Sequence, residues 1–151
     1  DYLAHYETRI AERSHLFPGA ANALEALSSD GHILAVCTNK TERLAAVLLE
    51  KLNVAHHFNA ICGRDSFAFQ KPDARHLTET IVKAGGLTHH AIMIGDTRTD
   101  IDTARNAKLP VIGVRFGYSG TPIEALAPDI LIDHFDELRA AVTTLSKTVT
   151  R

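Results

Sequence analysis

At 151 residues, with 45% hydrophobic and 23% charged residues, the chain is sized for one domain with a real core and is not a disordered sequence. A formal net charge of −2, with acids and bases mixed along the chain, offers no footprint for nucleic acid or an anionic membrane surface. No apolar run approaches the roughly 18 residues of a membrane span, no signal peptide opens the chain, and two cysteines in apolar runs do not make a disulfide framework, so a reducing, cytoplasmic setting is expected.

Residues Tyr2 to Arg13 carry a helical pattern, and "LFPGA" then turns the chain into a second helix. The opening at Asp1, without an initiator Met, reads as a cut inside a larger sequence. From there short apolar runs alternate with helical periods, the pattern of βα units on a parallel sheet. The runs Ile33 to Cys37, Ala60 to Cys62, Ala91 to Ile94, Val111 to Val114 and Ile130 to Ile132 read as strands. Between them, "TERLAAVLLEKL" sets Leu44, Leu48 and Leu52 on one stripe, and "ARHLTETIVKAGG" is a helix stopped by Gly85 and Gly86. Thr121 and Pro122 signal the start of a helix in "IEALA", "DELRAAVTTL" closes the fold, and Ser146 to Arg151 reads as a loose tail.

The richest stretch is "AIMIGDTRTDIDTARNA", Ala91 to Ala107. A buried strand that breaks at Gly95 delivers Asp96 to its C-terminal end, where open α/β sheets build sites. Asp100 follows one helical turn later, so both carboxylates can face one point, and two hard oxygen ligands suit Mg²⁺. The plainer alternative makes Asp96 a helix cap and Asp100 a favourable acid in the first turn. Two further strand ends carry chemistry. Thr38 and Asn39 follow "ILAVC" ahead of a helix, where a hydroxyl and backbone amides can hold an anion, or simply cap. In "FQKPDA", Lys71 stands beside Pro72 in a stiff loop, as a point charge for a phosphate or as a solvated surface group.

Thr38 and Asn39, Lys71 in "KPD", and "GDTRTD" occur in this order and at suitable spacings, and together they resemble the second, third and fourth motifs of the haloacid dehalogenase (HAD) superfamily of phosphohydrolases. The resemblance runs from about Phe17 to Leu138, and "LFPGA" and "VIGVRFGYSG" look most like the bacterial phosphoglycolate phosphatases. It implies an α/β fold: a Rossmann-like core, 17–145, with a doubly wound, mainly parallel sheet, after one remnant helix of a helical cap, 1–16, and before a tail, 146–151. It also implies roles. Thr38 and the Asn39 amide would bind phosphoryl oxygens, Lys71 would neutralise the phosphate, Asp96 would bind Mg²⁺, and Asp100 would ligate the metal or hold its water. The expected partner is a small phosphorylated metabolite, acted on by a Mg²⁺-dependent phosphomonoesterase. Lys108 stands where the family often has Gly.

The family's first motif, an Asp-x-Asp followed by Gly-Thr that supplies the nucleophile and the general acid/base, has no match in these residues. Asp100-Ile-Asp102 has the spacing but lies in the expected helix after the fourth motif. A binding half-site is therefore expected, inactive by itself. In the family the first-motif strand lies between the strands ending at Thr38 and at Asp96. Without it two inner edges are left; they should close up, be paired by a partner through self-association, or belong to a segment outside the chain. Two rivals remain in view: a non-catalytic HAD-like binding or assembly module, and a receiver-like phosphoacceptor domain. The second fails on motif order. Nine histidines include adjacent pairs at His56-His57 and His89-His90, whose side chains diverge, and no zinc spacing appears, so they read as surface or loop groups. The loop Arg115 to Gly120 could touch a substrate or serve only as a loop.

Overall fold

A computed structural model describes residues 19–115 and 122–149. The expected cap helix at Tyr2 to Arg13, and all of the Arg115–Gly120 loop except Arg115, lie outside the described residues. Among the described residues are five strands, parallel within each sheet: β1 (Ala35–Cys37), β2 (Ala60–Cys62), β3 (Met93–Gly95), β4 (Val111–Val114) and β5 (Ile130–Ile132). The helices are α1 (Ala20–Ser29), α2 (Glu42–Lys51), α3 (Ala74–Ala84), α4 (Arg98–Asn106) and α5 (Leu138–Val149).

The alternation of β4 shows how the layers form. Val111 packs on one face with Leu77 of α3, Met93, and Ile101 and Ala104 of α4. Ile112 and Val114 pack on the other with Ala23 and Leu27 of α1 and Leu138, Ala141, Val142 and Leu145 of α5. Successive side chains of a strand point to opposite faces, so a nearly continuous apolar run is what a strand covered on both sides requires. This is the doubly wound α/β architecture that the sequence implies. On the surface, Arg139 of α5 forks onto the Asp30 carboxylate after α1 at 2.6 and 2.8 Å, which lowers that carboxyl's pKa and adds little stability in open solvent.

Helix ends follow their residues. Thr41 caps α2 by accepting from Leu44 N–H, Asp73 caps α3 by accepting from Arg75 N–H, and Gly85 ends α3 with φ 89°. Two expectations are corrected, and a third feature falls as expected in a turn. Residues 123–126 form only a 3₁₀ turn, which ends where Ala127 enters the left-handed region (φ 53°). The stretch from Ser146 continues α5 to Val149, anchored by buried Leu145 one turn earlier. Lys108 adopts φ 59°, a left-handed turn that a glycine would make without steric cost.

The sheet is not continuous. β1 bonds to β2, while β3, β4 and β5 form a separate three-stranded sheet. Between the facing edges of β1 and β3 lies a cleft of about 720 Å³, walled by Leu27 and Val142 on one side and Leu77, Thr80 and Ile81 on the other. Of the three outcomes expected for these edges, closing up is not the one seen: among the described residues β1 and β3 do not pair. Helix α3 packs against β1 and β2 and also sends Leu77 to Met93 of β3, while α1 and α5 cover the opposite face. Helices thus cover both faces of the gap between the two edges.

Candidate active site

The C-terminal ends of β1 and β3 meet at one rim, where the loops leaving both sheets line a common pocket. Thr38 follows β1, and Asp96 follows β3. Lys71 arrives from the loop before α3 and Asp100 from the first turn of α4. All four line one pocket of about 550 Å³, with Cys37, Lys40, Gly95, Thr97 and the apolar Ile94, Val114 and Phe135.

Asp100 organises the pocket. Its Oδ1 takes the Lys71 ammonium at 2.6 Å, with the two side chains only 9% and 10% exposed. Its Oδ2 accepts from the backbone N–H groups of Asp96 at 3.1 Å and Thr97 at 3.3 Å. In return the Asp100 N–H donates to Thr97 Oγ1 at 3.2 Å, completing a capping box. The cap of α4 is therefore Thr97, not Asp96, and Asp100 combines a helix-start role with a buried ion pair. Gly95 is required by this packing: a Cβ there would stand 2.6 Å from Asp100 Cγ.

Lys71 is held from its backbone as well. Asn39 Nδ2 donates to Lys71 C=O and Asn39 Oδ1 accepts from Lys71 N–H, both at 3.2 Å. Asn106 of α4 braces the next residue, donating to Pro72 C=O at 2.9 Å. The Asn39 side chain thus ties the first loop to the lysine loop and does not itself line the pocket. Thr38 is fixed by its N–H to Cys62 C=O at 3.0 Å, and its hydroxyl oxygen accepts from Lys40 N–H at 3.2 Å.

Beneath the rim lies a contact the sequence reading missed. His76, fully buried on α3, sits 2.8 Å from Gly63 C=O through Nε2 and 3.0 Å from Cys37 Sγ through Nδ1. An Nε2–H tautomer satisfies both, donating to the carbonyl and accepting from the thiol. Burial pushes the Cys37 thiol up to about 11, so it stays protonated and supplies that proton. The expectation that the histidines are surface or loop groups fails here. The signal was available: His76, Leu77, Thr80 and Ala84 share the buried stripe of α3. Both cysteines lie in strands as free thiols, as expected. Arg115 turns outward, to Asp133 at 2.8 Å.

The donor set suits a hard cation. The pocket offers carboxylate oxygens and a hydroxyl, its one thiol is protonated and hydrogen-bonded, and no imidazole lines it. Among the described residues no group of three His, Cys, Asp or Glu side chains converges. Mg²⁺ needs no such cage, because it takes one or two carboxylates together with water and phosphate.

A family model described as haloacid dehalogenase-like hydrolase matches residues 1–114. The chain belongs to that family. HAD relatives with the name phosphoglycolate phosphatase include one from Agrobacterium fabrum, 50% identical over 141 residues, covering 93% of this chain and 60% of the relative. Another, from Mesorhizobium japonicum, is 47% identical over 137 residues, covering 91% and 60%. Among solved HAD-like structures, that of a predicted phosphoglycolate phosphatase from Haemophilus somnus 129PT superposes with a TM-score of 0.86 at 29% identity, covering 93% of this chain and 63% of that one. The chain thus spans about 60% of the length of the curated relatives it matches.

Proposed function

We propose that this chain is the phosphate- and metal-binding portion of a Mg²⁺-dependent phosphomonoester hydrolase of the phosphoglycolate phosphatase type, acting in a reducing, cytoplasmic setting on a small phosphorylated acid. The observation that carries the reading is the single pocket shared by Thr38, Lys71, Asp96 and Asp100, with Lys71 buried against Asp100. Phosphoryl transfer asks a protein mainly for in-line positioning and for positive charge around the equatorial oxygens. The Thr38 hydroxyl donates to one phosphoryl oxygen. Lys71 supplies a positive charge that Asp100 holds in place, and Asn39 fixes the backbone from which that lysine projects. Asp96 would hold Mg²⁺ through its carboxylate, Asp100 holds the Asp96 backbone still, and the metal would supply further positive charge to the phosphoryl group.

Among the 151 residues no Asp-x-Asp is followed by Gly-Thr, so the polypeptide alone binds and does not turn over. The test is to incubate the chain with 2-phosphoglycolate and Mg²⁺, following phosphate release and the amide resonances of Thr38 and Gly95. Both resonances should shift with no phosphate released, and Lys71→Ala should abolish the shifts. Resonances that stay put in the parent chain refute the phosphate site, and turnover that disappears in Lys71→Ala places a nucleophile inside the chain. A second reading, a HAD-like binding or assembly module that self-associates, is favoured by the facing edges of β1 and β3. Sedimentation at rising concentration separates the two.

A further inference from the structure

The pocket contains more hydrogen-bond donors than it has available for a ligand. The amides of Asp96 and Thr97 are spent on Asp100 Oδ2, and one hydrogen of the Lys71 ammonium on Asp100 Oδ1, which leaves that ammonium to the phosphoryl group. The N-terminus of α2 is closed too: Glu42 N–H goes to Asp65 Oδ1 at 2.8 Å and Leu44 N–H to Thr41 Oγ1 at 3.3 Å. Lys40 differs from all of these. Its backbone is fixed from both sides, donating to Thr38 Oγ1 and accepting from Arg64 N–H at 2.7 Å. Gly63 permits that close approach, since a Cβ there would stand 2.5 Å from Lys40 C=O. The side chain is exposed on the pocket lining, and its ammonium has no hydrogen bond or ion pair among the described residues.

We infer that Lys40 is a specificity-determining residue: its ammonium takes a second anionic group, a carboxylate, on a short phosphomonoester whose phosphoryl group sits at Thr38 and Lys71. The inference rests on the phosphatase reading and names the residue that would read the acid group of its substrate. Lys40 and Lys71 balance Asp96 and Asp100 in the pocket lining, and Lys71 is already assigned to Asp100 and the phosphoryl group. A carboxylate arriving with the phosphate therefore meets one uncommitted cation, on a backbone joined to Thr38 by a hydrogen bond. An ester with the same phosphoryl group and no carboxylate has nothing to offer it.

The test compares 2-phosphoglycolate with ethyl phosphate, titrated into the chain with Mg²⁺ and read at the Thr38 and Gly95 amide resonances. An exposed ion pair is worth a few-fold in affinity, so the parent chain should bind 2-phosphoglycolate about three- to fivefold more tightly than ethyl phosphate. Lys40→Gln should erase that difference by weakening 2-phosphoglycolate alone, and Lys40→Arg should restore it. Equal weakening of both ligands by Lys40→Gln, or no change in either, overturns the inference and leaves the phosphate site standing. Failure of both ligands to move either resonance in the parent chain overturns the phosphatase reading, and the inference falls with it.

Discussion

The polar pocket at the rim and the apolar cleft between β1 and β3 are neighbours built from the same two strands, and they are finished to different degrees. In the pocket Asp100 alone satisfies an ammonium and two amides, and Asn39 closes both backbone groups of Lys71. In the cleft Ile33 is 50% exposed and Ile94 37%, although β4, with a strand on each side, is buried throughout. The difference separates two sources of order. Side chains and turns organise the pocket locally, across the two loops that meet there. The cleft has no such local closure: among the described residues its two strand edges bond to no strand across the gap.

That contrast can be broken from the pocket side first. Asp100→Ala strands a buried ammonium and two amides together, and should cost about 3–5 kcal/mol in urea unfolding. A loss below about 1 kcal/mol would show that the pocket is not self-supporting. The layer beneath the rim gives a smaller, pH-dependent effect. The folded state binds the Cys37 proton more tightly than the unfolded chain does, so the stability it contributes is complete below pH 9 and is lost as pH rises to about 11. The parent chain should lose on the order of 2 kcal/mol across that window relative to Cys37→Ala, measured by denaturation at pH 8, 9, 10 and 11. Parallel pH profiles would place the thiol in solvent. The cleft should respond least: Ile33→Lys should change stability by no more than about 0.5 kcal/mol while lowering any concentration-dependent association seen by sedimentation. A large loss of stability there would mean that the cleft is packed in solution.

Sequence reading located the strands because each is an apolar run, and β2, β4 and β5 match their expected bounds residue for residue. It overextended the N-terminal sides of β1 and β3, to Ile33 and Ala91, because an apolar run does not mark where ladder pairing begins: β1 pairs with β2 from Ala35 and β3 with β4 from Met93. The convergence of Thr38, Lys71, Asp96 and Asp100 was legible from order and spacing along βα units. The division of labour among them was not, because it turns on which carboxylate oxygen meets which donor. His76 escaped because a histidine carries no apolar signal of its own, and its burial follows from the stripe on which it sits. Lys40 stood unremarked between residues with clearer signals, and only the pocket lining distinguishes it from other exposed lysines.

Helix α3 begins three residues after Lys71 and is the element that packs on both sheets. The lysine loop is tied through Asn39 to the β1 side and through Asn106 and Asp100 to α4 on the far sheet. The 2.6 Å gap between ammonium and carboxylate is therefore a gauge of how far apart the two halves of the molecule stand.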